Sequence, residues 1–425
     1  MLIQFTVGNF LSFKNKVTFS MVATPAKKEL WDTNTFQVND KLRLLRSAAI
    51  YGANASGKSN LTKAMFFMRN FIQNSSKDLQ SGEVIPVNAF RLSSDTENMP
   101  SFFEIVFMLE GACYRYGFAI DRQMVHKEWF HCIPEGKNKE FDLFVREKKE
   151  FTISPNFIEG KDLKDKTRDN ALFLSVVAQF NGAISGKVLK WLTSFNVISG
   201  LTDAGIQDFS FSCLGDPVLQ EKITELLNNA DLGIDRVNQG FMPINFDRLP
   251  PDMPENVKKT LSEKGIQTVF TTHKKYNGDG DVIGAEQFNL YENESEGTKK
   301  MFALAGPIID TLKYGRVLAV DEFDARFHPL LNRFLVKLFN SSETNKLNAQ
   351  LIFISHNTQC LHKLFLRRDQ IWFAEKDKFG ATDLYSLAEY KIPVRKDASY
   401  DKDYIAGKYG AIPLIGDPAE LFGEE

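Results

Sequence analysis

The sequence has few of the features that would carry it out of a cell or into a bilayer. Its 425 residues include four cysteines, Cys113, Cys132, Cys213 and Cys360, far apart and without a Cys-x-x-Cys pair. That excludes a disulfide framework and reads as reduced thiols in a cytosolic protein. The longest apolar runs are strand-sized, so no membrane span is expected. The opening residues Met1-Leu2-Ile3-Gln4-Phe5 lack a basic segment followed by a long apolar one, so no signal peptide is expected. A net charge of −2 gives no bulk attraction to polyanions, and leaves only a local basic patch open. Sustained heptads and fixed-period repeats are missing, which excludes a long coiled coil and a solenoid. Abundant by contrast is phenylalanine, with 37 residues, enough for a large aromatic core.

The strongest local signal is Gly52-Ala53-Asn54-Ala55-Ser56-Gly57-Lys58-Ser59. It fits G-x-x-x-x-G-K-[ST], the phosphate-binding loop. Residues 44–51 before it are apolar enough for a buried strand. After it, Leu61, Ala64, Met65, Met68, Phe71 and Ile72 recur at helical spacing. A chance match in a glycine-containing turn would not need that strand and helix. Gly52 and Gly57 let the backbone turn without a clashing Cβ. Loop N–H groups then face phosphate oxygens at a helix N-terminus, and Asn54 within the loop and Asn60 just after it count among the nucleotide-binding residues. Lys58 would reach the β- and γ-phosphates, and the Ser59 hydroxyl would bind Mg²⁺.

Along the chain, residues 2–7 and 16–23 read as strands that form a sheet edge beside the nucleotide. Residues 101–120, split at Glu110-Gly111, read as a hairpin, and residues 127–131 and 141–153 continue the β pattern. Residues 171–180 fit strand or helix equally. Between 182 and 284 the character changes: residues 187–195, 217–230 and 254–264 look helical, with Pro217 and Pro254 at tolerated first-turn positions. The expected division is therefore 1–181, a helical insertion at 182–284, and 285–425. In the last part, helices are expected at 294–312 and 328–340. Short strands are expected at 288–291, 316–320, 351–354, 371–374 and 383–387, ahead of an irregular tail.

Three further stretches complete a nucleotide site. Val317-Leu318-Ala319-Val320-Asp321-Glu322 is an apolar strand ending in two acids. Asp321 would hold Mg²⁺ directly or through water, and Glu322 would act as general base on the attacking water. Without the phosphate loop it would read as a strand closing in a polar turn. Ser295, in Glu294-Ser295-Glu296-Gly297-Thr298, is either a helix N-cap or, with Gly297, a grip on a γ-phosphate bound by another subunit. His356, after residues 351–354, either contacts the γ-phosphate and its water or is a polar strand cap. Asp324-Ala325-Arg326-Phe327-His328-Pro329 reads as an interface loop. His126, His131 and Cys132 lack a second ligand cluster for a metal, and Asp401-Lys402-Asp403 reads as a solvated turn.

Phosphate loop, serine–glycine signature, Asp-Glu strand end, following loop and histidine, in that order, resemble the ABC-type ATPases of the SMC and RecF group. Asn9-Phe10-Leu11-Ser12-Phe13, the Glu294–Thr298 run, Asp321-Glu322-Phe323-Asp324 with His328-Pro329, Arg367-Arg368-Asp369-Gln370-Ile371-Trp372-Phe373 and Gly407-Lys408-Tyr409-Gly410-Ala411-Ile412-Pro413 resemble the abortive-infection ATPases of the RloA/AbiL type. The resemblance is weakest at 182–284. It implies an α/β P-loop NTPase fold of ABC-ATPase type, with a mixed sheet, N-terminal antiparallel strands and a helical insertion. It implies ATP and Mg²⁺ as ligands, Glu322 as the catalytic carboxylate, and a homodimer or higher oligomer. It also implies Gln179 as the glutamine that senses Mg²⁺ and water, a residue that reads equally well as a polar side chain on the surface. The stretch after His356 is too short for a further enzyme domain, so a separate effector, a nuclease or toxin encoded nearby, is expected, with a phage protein or nucleic acid as trigger and no membrane. The competing reading is a RecF-like DNA clamp using Lys274-Lys275, Arg367-Arg368 and Arg395-Lys396.

Overall fold

The structure, a computed structural model, describes residues 1–25, 29–199, 204–242, 253–255, 265–390, 399–413 and 416. The expected helix at 254–264 and the pair Arg395-Lys396 lie largely or wholly outside them. The chain divides into two compact units, Met1–Ile198 with Tyr314–Phe323 and Leu335–Glu425, and Ser199–Lys313 with Asp324–Phe334. The break therefore falls later than residue 182, and the second unit takes in residues 285–313 as well.

The first unit is built on the helix Lys58–Asn74. Its buried Leu61, Ala64, Met65, Met68, Phe71 and Ile72 share one hydrophobic cluster with Phe5, Phe103 and Phe118 of one sheet and with Ala48, Ile50, Val317 and Ile352 of another. The first of these sheets is antiparallel and seven-stranded. Its order is Glu150–Ile153, Phe141–Glu147, Val125–Ile133, Ala112–Ile120, Ser101–Leu109, Leu2–Gly8, Val17–Ser20. The hairpin turns at Glu110-Gly111 as expected, with Leu109 opposite Ala112. Phe103, Ile105 and Phe107 turn inward, as period-two alternation requires. Phenylalanine rings fill this core: Phe10, Phe67 and Phe103 meet pairwise at 5.1–5.4 Å between centroids.

The second sheet has six strands in the order Asn196–Ser199, Val317–Asp321, Gln350–Ile354, Ser47–Tyr51, Ile371–Lys376, Thr382–Ser386. Val317–Asp321, Gln350–Ile354, Ser47–Tyr51 and Ile371–Lys376 run parallel, and Thr382–Ser386 returns antiparallel. Ser47–Tyr51 and Gln350–Ile354 are buried throughout, the mark of strands covered on both faces. Register pairs Phe353 with Val320 and Ile354 with Ile50. Tyr51, Asp321 and Ser355 therefore end at the same C-terminal edge, where ligands bind in open α/β sheets.

Two local readings change. Residues 44–51 are not one strand: Arg43–Leu45 pairs with Thr35–Gln37, and Ser47–Tyr51 enters the parallel sheet. Arg46 between them is buried and donates to the Asn345 carbonyl at 2.9 Å. Residues 171–180, ambiguous in sequence, contain the helix Phe173–Gln179. Its first N–H groups are taken by the fully buried Glu128 carboxylate, from Phe173 at 2.7 Å and Leu174 at 3.0 Å. The tail also contains a helix, Tyr400–Ile405.

The helix expected at 187–195 is Ala183–Thr193, in the first unit. The second unit has the expected helix at Pro217–Asn229, with Asp216 capping it through Val218 N–H at 2.9 Å, and a further one, Ala204–Cys213, that the sequence reading did not include. It also holds an antiparallel sheet, Arg236–Met242, Ile266–Tyr276, Val282–Asn289, of which the sequence reading had only the strand expected at 288–291; that strand ends at Asn289, and Leu290–Asn293 is a helical turn. The helix Glu296–Tyr314 carries Pro307 in its interior. Proline has no N–H for the carbonyl four residues back. The Ser210 hydroxyl donates to that carbonyl, Ala303, at 2.7 Å.

Candidate functional site

The phosphate loop leaves the buried Ser47–Tyr51 strand through Gly52, φ 155°, and enters its helix through Gly57, φ 96°. A Cβ on Gly52 would collide with the Ala374 carbonyl oxygen, and one on Gly57 with the Thr382 hydroxyl. Both glycines are thus required by conformation and by space. Asn54 is exposed at the loop. Lys58, buried at the helix start, donates to the carbonyls of Gly52 and Ala53, both at 2.7 Å. The Ser56 hydroxyl is buried and has no hydrogen-bond partner among the described residues.

The Ser59 hydroxyl donates to Asp321 Oδ1 at 3.1 Å, joining the phosphate loop to the acidic strand. The same oxygen accepts the Glu322 N–H at 3.0 Å. Glu322 has φ 50°, in the left-handed region that a non-glycine residue occupies only when its surroundings hold it there. The Phe323 N–H donates to the Ile354 carbonyl at 3.0 Å, fixing the chain just after Glu322 against the histidine strand. His356 is exposed two residues beyond that strand's end. Asp321, Glu322, Ser59, Lys58 and the strand end before His356 therefore gather at one edge of the first unit.

Two residues without an assigned sequence role hold the loop from outside. The Thr382 hydroxyl lies 2.8 Å from the Ser56 carbonyl oxygen and 2.7 Å from Ser12 Oγ. Asn60 Nδ2 donates to the same Ser12 oxygen at 2.7 Å. Ser12 stands within a tight turn in which Phe10 and Phe13 exchange backbone hydrogen bonds at 3.0 and 2.9 Å. Nearby Asn9, at φ 47°, donates to the Thr96 and Met99 carbonyls at 2.9 and 2.7 Å. The N-terminal motif is a support for the phosphate loop. Ser12 stood inside a motif that could have pointed to it, whereas Thr382 carries no local sequence signal.

Gln179 is not brought to this group. It is exposed in the last turn of Phe173–Gln179. Ser175 of that helix donates to the Ile72 carbonyl at 2.5 Å. Ile72 is about 21 Å along the helix axis from Lys58 at 1.5 Å per residue. The strand flanking Val317–Asp321 on its outer side is instead Asn196–Ser199.

Ser295 and Gly297 belong to the second unit. Ser295 is exposed; its Oγ accepts the Thr298 N–H at 3.1 Å and lies 2.9 Å from Thr298 Oγ1. It is thus an N-cap of the helix Glu296–Tyr314. Glu296 pairs with Lys299 at 3.0 Å and Arg326 at 3.2 Å, and Lys299 and Arg326 hold its carboxyl below the usual carboxylate range. The buried Lys300 donates to the Ala325 carbonyl at 2.5 Å. The Asp324–His328 loop and the Ser295 loop are therefore tied together within this unit.

The remaining candidates are internal pairs. His126 lies 2.6 Å from Asp121, and His131 lies 2.8 Å from Asp142. Among the described residues no group of three or more His, Cys, Asp or Glu side chains is placed to hold a metal. The Ser59 hydroxyl and Asp321 carboxylate suit Mg²⁺, which takes oxygen ligands and completes its shell with phosphate and water. The orphaned Ser56 hydroxyl within the glycine loop suits a phosphate acceptor. No helix among the described residues is long and apolar enough to cross a membrane.

A family model described as "AAA domain, putative AbiEii toxin, Type IV TA system" matches residues 47–361. Among solved structures, the SMC head domain from Thermotoga maritima is 13% identical, over 91% of this chain and 98% of that one, with a TM-score of 0.38. The recombination mediator protein RecF-ATPrS in the RecFOR pathway is 13% identical, over 90% and 98%, with a TM-score of 0.29. No curated protein matches the chain.

Proposed function

The chain belongs to this AAA-domain family, and from that premise we propose that it is the ATPase regulator of an abortive-infection system of the RloA/AbiL kind, dimerising head to tail on ATP to control a separate effector. It is a P-loop ATPase by family and by topology. The family's description, which names a toxin and a toxin–antitoxin system, supports the defence context. The observation that carries the catalytic assignment is the Ser59–Asp321 hydrogen bond at 3.1 Å, which joins hydroxyl and carboxylate where a nucleotide-bound cation is held.

The loop N–H groups and Lys58 bind the phosphates, Lys58 exchanging the Gly52 and Ala53 carbonyls for β- and γ-phosphate oxygens. Ser59 and Asp321 are the residues that would hold Mg²⁺, which when bound offsets charge on those oxygens. Glu322 takes a proton from the attacking water, and His356 stands at the same edge to contact the γ-phosphate. Ser295 and Gly297 of a second copy close over the γ-phosphate, so that two copies complete two sites. ADP lacks that group and releases the pair.

Control of an effector is favoured over clamping of DNA by what the two described basic pairs already hold. Arg367 is buried and donates to both Asp369 oxygens, at 2.9 and 2.7 Å. Arg368 donates to the Tyr400 hydroxyl at 3.1 Å. Lys274 and Lys275 pair with Asp235 at 3.5 Å and Glu286 at 3.2 Å. The test is an affinity pull-down of Glu322→Gln from its native host, with neighbouring genes intact and nuclease added. A stoichiometric second protein that survives nuclease is the expected result. Recovery of nucleic acid alone, lost to nuclease or raised salt, would replace this reading by the DNA clamp.

A further inference from the structure

Ser295 sits between two carboxylates, Glu294 and Glu296, an unfavourable setting for a residue that receives a phosphate. Glu296 is neutralised by Lys299 and Arg326. Glu294 is met from the neighbouring sheet: Glu294 Oε1 accepts from Thr271 Oγ1 at 2.5 Å and from His273 Nε2 at 2.7 Å. Thr271 and His273 are two apart on the strand Ile266–Tyr276, so period two turns both side chains to one face. Thr271 is fully buried, and Glu294 and His273 have side-chain exposures of 9% and 20%. The Phe288 ring, 5.0 Å from the imidazole between centroids, covers it from the next strand.

The chain between this sheet and Ser295 is short and tied. Asn289 N–H donates to Asn293 Oδ1 at 2.9 Å, and Asn289 Oδ1 accepts the Tyr291 N–H at 2.9 Å. Glu294 then folds back onto the strand, and Ser295 begins its helix. The placing of Ser295 thus depends on where Glu294 is held.

We propose that Thr271 and His273 are positioning residues for the Ser295 loop: together they fix Glu294 to the sheet and satisfy its charge, so that Ser295 and Gly297 face outward ready for a γ-phosphate. The inference rests on the head-to-tail reading above. Without His273, Glu294 loses a donor and turns toward Ser295, where it opposes the incoming phosphate. The effect belongs to closure and turnover and leaves nucleotide binding to the phosphate loop untouched.

The experiment measures, for the full chain, affinity of the Glu322→Gln protein for ADP, which does not bridge two copies and so reports the phosphate loop alone, and steady-state turnover of the Glu322 protein, each with and without changes at the clamp. His273→Ala is expected to lower kcat by about tenfold or more, the worth of a hydrogen bond to a charged group, with ADP affinity unchanged. His273→Gln, which keeps an N–H near the Nε2 position, and the double variant His273→Ala with Glu294→Gln, which removes the charge, are expected to recover most of the turnover. Turnover of His273→Ala within twofold of the parent, or failure of both rescues, overturns the clamp. Ser295→Arg separates the two readings. If it abolishes turnover while His273→Ala does not, only the clamp falls; if it too turns over normally, the head-to-tail reading falls with it.

Discussion

Thr382 supports the phosphate loop from a strand far along the chain, with its hydroxyl against the Ser56 carbonyl and Ser12. Thr382→Val keeps the shape and removes the hydroxyl. One net hydrogen bond is worth about 1 kcal/mol, so ATP affinity is expected to fall by about fivefold in a calorimetric titration. An unchanged affinity would remove Thr382 from the site. Glu322, held at φ 50° beside the Ser59–Asp321 pair, is argued to act only on the attacking water. Glu322→Gln is therefore expected to bind ATP normally and lose hydrolysis by 100-fold or more, on the order of the 10²–10⁴-fold typical of a general base. At this scale the sequence was readable where chemistry demands a fixed spacing, as in Gly52, Gly57, Lys58, Ser59 and Asp321. It was silent for Thr382, Thr271 and His273, because their partners are set by strand pairing that no local motif encodes. Gln179 followed the resemblance alone, and its helix packs at the far end of Lys58–Asn74.

The elements show the same division. Strand Ser47–Tyr51 and helix Lys58–Asn74 were legible because burial and periodicity are written in their own residues. The helix Phe173–Gln179 was not, because its first N–H groups are satisfied by Glu128 from another strand. Glu128 also accepts from the Tyr116 hydroxyl at 2.9 Å and lies 3.6 Å from Arg146, with both side chains of the pair at or near zero exposure. Glu128→Ala leaves the buried Arg146 charge, held otherwise only by backbone carbonyls, without its counter-charge, and leaves the Tyr116 hydroxyl and two helix N–H groups without their acceptor. A loss of about 3–5 kcal/mol is expected in denaturant unfolding, and a loss under 1 kcal/mol would contradict this role. In the second unit, Ser210 answers the carbonyl that Pro307 cannot. Ser210→Ala is expected to lower stability by about 1–3 kcal/mol. Adding Pro307→Ala, which restores an N–H to Ala303, is expected to return part of it, and no recovery would refute the pairing. All but the end of the sheet of residues 236–289 escaped the sequence reading because it sits among helix-like segments and its outer strand Val282–Asn289 is exposed at all but its last residue, without a buried face to mark it.

For the whole molecule, the first unit carries Lys58, Ser59, Asp321, Glu322 and His356, and the second carries Ser295 and Gly297. In the proposed cycle a nucleotide needs both sets, from two copies, so that the γ-phosphate would drive association and hydrolysis release. The most direct measurement is the mass in solution of Glu322→Gln with ATP and Mg²⁺ and, separately, with ADP and Mg²⁺, by light scattering at matched protein concentration. The account predicts twice the protomer mass, or an even multiple of it, with ATP and a smaller species with ADP. The same mass in both nucleotides would contradict it.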